Sequence, residues 1–139
     1  MRVRILSLVV ALTSISQGFA MERLSNYEWK NRVVLVFGKT TDPKVERQID
    51  ALKAKQAELA DRALVVIRIT GNEARAVYGT EITLNGDKLR TDAKIDDNDF
   101  QVILVGKDGG VKFRSKDIVS DVEIFDLIDR MPMRKSGQG

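Results

Sequence analysis

The apolar positions of this chain fall into short β-branched runs separated by stretches with helical spacing. The first run is Arg32 to Phe37, RVVLVF, closed by Gly38, which is the pattern of a strand buried on both faces. Asp42 and Pro43 follow, a carboxylate able to accept from the free amides of a first helical turn and then a residue with no N–H to lose there. Val45, Ile49, Leu52 and Leu59 recur at spacings of four, three and seven, with Lys, Glu, Arg and Gln on the opposite face. They predict one amphipathic helix of about 17 residues. On it Glu58 and Arg62 stand one turn apart, an exposed pair worth about a few tenths of a kcal/mol. Ala63 to Thr70, ALVVIRIT, is a second β-branched run, so strand, helix and strand form a right-handed crossover with the two strands parallel.

Residues 71–98 carry a weaker pattern. Asn85-Gly86 marks a turn that closes a small hairpin or introduces a short helix at Asp87 to Ala93, and the helix is the favoured reading. Phe100 to Val105 is a third strand, and Lys107-Asp108-Gly109-Gly110 turns it into a fourth, Val111 to Ser115, running antiparallel. Ser120 with Glu123 makes a capping box for a last helix. Val122, Phe125, Ile128 and Met131 line one face of it, Pro132 stops it, and Arg134 to Gly139 reads as a frayed tail. Ahead of everything, Leu24 to Lys30 reads as a lead-in that packs Tyr27 and Trp29 on the sheet edge. The predicted fold is α/β, a four-stranded mixed sheet, βαβ then ββα, flanked by helices. That is the element order of the thioredoxin fold.

The first twenty residues stand apart. Arg2 and Arg4, an apolar stretch from Ile5 to Leu12 too short to cross a bilayer of about 30 Å, and small residues at Gly18 and Ala20 follow the grammar of a cleaved signal peptide. The expectation is a leader over residues 1–20, cleaved after Ala20, then one domain over 21–139 in a periplasmic or secreted location, with no membrane span after cleavage. Loss of the leader removes two arginines and no acid, bringing 23 Lys and Arg against 20 Asp and Glu close to balance. Near-neutral charge argues against a nucleic-acid partner, which needs clustered cations. The chain has no cysteine and no histidine, which excludes thiol-disulfide exchange, zinc-thiolate sites and the common triads.

Three segments carry a family resemblance: LSNYEWKNRVVLVFG at Leu24 to Gly38, FQVILVGKDGGVKFR at Phe100 to Arg114, and IFDLIDRMPMR at Ile124 to Arg134. Together they resemble the domain-of-unknown-function 4174 family of short exported bacterial proteins, itself similar to domains of animal sushi-repeat secreted proteins. The resemblance implies a thioredoxin-like fold and export, and no catalytic residues. In redox-active thioredoxins the paired cysteines lie between the first core strand and the following helix, which by position falls near Thr41 and Lys44. The cis-proline that precedes the third strand of such enzymes is replaced by Asp99-Phe100-Gln101, where a trans peptide is expected.

Two polar constellations remain. Gly38-Lys39-Thr40 lacks the upstream glycine of a phosphate-binding loop, since Val33 stands there inside the strand. The same helix start nevertheless gathers Lys39, Thr40, Thr41 and Lys44, a candidate site for an anion or peptide carboxylate. Asp92, Asp96, Asp97 and Asp99 offer hard oxygen, but the spacing is not that of a calcium loop and a solvated loop is the better reading. No cofactor or metal is expected. The favoured function is a non-catalytic module that binds a protein, a peptide or a small anionic ligand. The alternative is an enzyme using lysine or aspartate near the Thr40 to Lys44 loop.

Overall fold

The computed structural model describes residues 21–135. The expected leader, its cleavage point and the end of the tail, residues 136–139, lie outside the described residues. A 3-10 helix, Glu22–Tyr27, precedes β1, Arg32–Phe37. Then come α1, Pro43–Lys53; α2, Gln56–Asp61; β2, Leu64–Thr70; β3, Glu73–Tyr78; and α3, Gly86–Asp92. The chain continues with β4, Gln101–Val105; β5, Val111–Ser115; α4, Asp121–Asp129; and α5, Pro132–Lys135.

The strands form one sheet in the order β3-β2-β1-β4-β5. β1 runs parallel to β2, while β4 is antiparallel to β1 and to β5. The run β2-β1-β4-β5, with a right-handed crossover in its first half and a hairpin in its second, is the thioredoxin fold. β1 is buried at all six positions, and its alternation divides the core in two. Val33, Leu35 and Phe37 face the side covered by the 3-10 helix and α3, packing with Met21, Leu24 and Leu89. Val34 and Val36 face the side covered by α1, α2 and α4, packing with Ile49, Leu52, Leu59 and Ile128.

The sheet has five strands where the sequence predicts four. The extra strand, β3, lies in the weakly patterned region, and the helix expected there is present beside it as α3, with Asn85 accepting from the Lys88 amide as its cap. Both elements therefore form, and the Asn85-Gly86 pair starts the helix rather than turning a hairpin. β3 reads EARAVY, in which Ala74 and Ala76 meet the core and Arg75 is exposed, so its apolar side has too little bulk to register as a strand. Its turn was nonetheless written in the chain: Gly71-Asn72 joins Thr70 to its partner Glu73, and Gly71 has φ +61°, the backbone such a two-residue turn demands. A Cβ at Gly71 would touch nothing within 4 Å. Gly71→Val is accordingly expected to cost about 1–2 kcal/mol through the backbone alone, read as a lower urea midpoint with an unchanged slope.

Two other boundaries differ. The single long helix is two, because the seven-residue gap between Leu52 and Leu59 leaves Lys53 to Glu58 wholly exposed and without an apolar anchor, while both leucines reach the core. Pro132 does not simply stop the last helix: α4 ends at Asp129, and Pro132 opens the separate turn α5, where the fixed φ of proline is favourable. Within α4 the buried face is Ile124, Phe125 and Ile128, while Val122, expected on that face, is 60% exposed. Tyr27 is buried as expected and donates to the Thr80 carbonyl at 2.6 Å, whereas Trp29 is 65% exposed.

Candidate functional site

The β1–α1 loop leaves the carboxyl end of the central strand, the position that carries the redox pair in active thioredoxins. Gly38 lets the strand approach the helix closely, since a Cβ there would stand 2.5 Å from the Val45 Cγ2. The glycine of the Gly38-Lys39-Thr40 sequence thus serves packing. Asp42 Oδ1 accepts from the Lys44 amide at 2.9 Å, so the helix supplies its own anion at its N-terminus.

Lys44 lines a recess of about 250 Å³ with Asp42, Asp99, Phe100 and Lys116. Its ammonium lies 3.7 Å from Asp117 Oδ1 and 5.8 Å from the centre of the Phe100 ring. Two cations and two carboxylates around the recess leave it without a strong net sign. Lys39, Thr40 and Thr41 are exposed on the loop beside it. The structure therefore brings Lys44 together with Phe100, a partner that sequence spacing does not indicate, and leaves the other three candidates as a solvent-facing rim. Phe100 follows a trans peptide; no cis bond occurs among the described residues. Of the aspartates downstream, Asp92 pairs with Arg23 at 3.7 Å and Asp97 caps the Asp99 amide at 3.0 Å. Among the described residues no three acidic groups converge as a metal site would require.

The family profile of DUF4174, a domain of unknown function, matches residues 23–137. This chain belongs to the DUF4174 family. A solved thioredoxin-fold protein from Helicobacter pylori is similar at 14% identity over 72% of this chain and 68% of its own, with a TM-score of 0.47. Among curated proteins none matches.

This DUF4174 domain thus keeps the thioredoxin strand order with neither cysteine nor histidine. Two of its buried polar groups, Gln48 and Arg62, serve architecture. Gln48, fully buried, pairs through Nε2 and Oε1 with the Val119 carbonyl and amide at 2.9 and 2.8 Å. Arg62 donates to both carboxylate oxygens of Asp129, to the Glu58 carbonyl and to Glu58 Oε1, and lies 4.5 Å from the centre of the Phe125 ring. Burial works against the Arg62 charge, but the bonds to Asp129 and Glu58 outweigh it and hold the group more basic than usual. The same contacts, led by the hydrogen bond from Arg62, hold the Asp129 carboxyl below its ordinary range. Tyr27 is less acidic than a free phenol, first through burial and then through Glu81. Among the described residues no helix is long and apolar enough to cross a membrane.

Proposed function

We propose that the chain is an exported, non-catalytic thioredoxin-fold module that binds a protein or peptide along the rim formed by Lys39, Thr40, Thr41 and Lys44. The observation that carries this reading is the content of the redox position. Thr41 and Lys44 stand there, Asp42 is spent as a helix cap, and Lys44 is held between Asp117 and Phe100. An enzyme needs an activated group in that place, and Asp42 and Lys44 both have structural partners. A shallow recess with an aromatic wall and a rim of mixed charge suits the polar surface of a peptide better than a free anion.

Export is supported by the signal-peptide pattern of residues 1–20, with one domain following over 21–139. It is compatible with Met21, whose nitrogen donates to the Gly109 carbonyl at 2.9 Å and would still donate as the ammonium of a chain cut after Ala20.

The test is capture of partners from periplasmic extract with the wild-type chain and with the Lys39→Glu/Lys44→Glu double variant. Lys44→Glu loses an exposed pair with Asp117 but puts a favourable charge in the first helical turn, so the melting temperature is expected to stay within about 3 °C. A partner held by the wild type and lost by the double variant supports the reading. Identical captures sink it.

A further inference from the structure

At the opposite end of the sheet, where β1 begins and β4 ends, lies a recess of about 390 Å³, in the size range of small-molecule sites. One wall is Trp29. The indole is 65% exposed, and its backbone sits at φ +64°, a left-handed conformation that costs a bulky residue about 1–2 kcal/mol. Bonds on either side impose that conformation: the Trp29 amide donates to the Lys107 carbonyl at 2.7 Å, and the Lys30 and Asn31 amides both return to the Tyr27 carbonyl. An aromatic ring held in solvent by a strained backbone is costly twice over, in hydration and in conformation. Met131 and Pro132 supply the facing apolar surface.

The charge lining this recess is positive. Asp108 is already engaged: it accepts from Lys112 at 2.9 Å and from the Gly110 amide at 2.9 Å, and the Lys112 bond first of all holds its carboxyl below the usual range. That pair is neutral as a unit. Arg32 forms the buried floor, with Nη1 donating to the Arg62 carbonyl at 3.0 Å. Lys107 stands beside it, and among the described residues no carboxylate lies within ion-pair distance of its ammonium. Burial, and then the charges of Arg32 and Arg134, make the Lys107 ammonium more acidic than a free lysine, the response of a cation among cations.

We propose that this recess binds a small aromatic carboxylate, its ring against Trp29 and Met131 and its carboxylate beside Lys107 at the Arg32 end. An aromatic body fits the indole and thioether walls, and an anion relieves the repulsion that Lys107 bears. This site is independent of the rim at Lys39 to Lys44, which lies at the other end of β1.

Trp29 is the chain's single tryptophan, so its emission reports this site alone. The full chain is titrated with phenylacetate and, as a control of equal ring and opposite charge, with 2-phenylethylamine. A saturable change with phenylacetate is expected, at least about tenfold tighter than with the amine and weakening as salt is raised. Lys107→Glu is expected to weaken it at least about tenfold, while Lys107→Arg, which keeps the charge, stays within about threefold. The arginine variant separates lost charge from lost fold. A response that never saturates, one equal for acid and amine, or one unchanged in Lys107→Glu overturns the site.

Discussion

Gln48→Leu is expected to destabilise the protein by about 3 kcal/mol and to lower Tm by on the order of 10 °C. The Gln48 amide closes a two-bond ring with the backbone of Val119, tying α1 to the segment that leads into α4. Both residues are buried, so leucine leaves an N–H and a C=O without partners in a site water does not reach. Each orphaned group costs about 1–3 kcal/mol, and the added apolar burial recovers only part of it. Gln48→Glu separates this cause from a change of shape. Its carboxylate still accepts from the Val119 amide but turns a second oxygen on the Val119 carbonyl, whereas the protonated acid restores both bonds. Burial and that carbonyl raise the pKa of the introduced acid, so Gln48→Glu is expected to lose stability relative to wild type as pH rises and to regain it in acid. Urea unfolding of the two proteins at about pH 4.5 and pH 7 measures the difference.

Arg62→Leu is expected to cost about 2 kcal/mol at neutral pH and to flatten the dependence of stability on pH. The guanidinium is nearly buried, bidentate on Asp129, bonded to Glu58 twice and set over Phe125. Its acceptors are about half exposed, so water takes over part of what is lost and the cost falls below that of a fully buried pair. The folded state holds the Asp129 carboxyl below its ordinary value near about 4. The stabilisation from that shift is present in full above the ordinary value and disappears as pH falls through the depressed one. As pH falls below about 5 the wild type is therefore expected to lose stability more steeply than the variant, in which Arg134 still bonds Asp129 but Arg62 no longer does. Parallel acid titrations of Tm in which the two slopes coincide would contradict this.

Both of these residues carry a lesson about pattern. Gln48 stands three residues after Val45 and four before Leu52, on the flank of the apolar stripe, and only its polar side chain groups it with the residues that face water. The β5–α4 segment covers that flank of α1, and the amide is buried because Val119 brings backbone groups that need it. Arg62 reads as half of a surface pair with Glu58. That pair exists, at 2.9 Å, but Asp129 and Phe125 arrive from a helix more than sixty residues away and turn it into a buried node. Spacing places Gln48 beside the core, but no local signal names the partner of either residue, since the partner's position depends on the sheet having formed.

The same division runs through the candidate sites. Thr41 and Lys44 can be placed in the redox slot because the first strand and the capped helix are written locally, in RVVLVF and in Asp42-Pro43. Phe100 joins Lys44 only because β4 lies antiparallel to β1. The recess at Trp29 is farther from any local pattern: it gathers residues from before β1, from the β4–β5 turn and from the end of α4. Its one local hint is a tryptophan two positions after a buried tyrosine, which pattern alone assigns to packing.

The amino-acid order is sufficient for the α/β class, the parallel pair, the β4–β5 hairpin and the caps at Asp42 and Ser120, and its lack of cysteine and histidine excludes thiol and imidazole chemistry. Those features depend on apolar periodicity and on hydrogen bonds spanning two to four residues, which a linear reading can follow. The fifth strand, the burial of Gln48 and Arg62, the exposure of Trp29 and Val122 and the two recesses depend on which distant surfaces meet. The energy of such contacts belongs to pairs of segments, and it becomes visible only when the sheet brings them together.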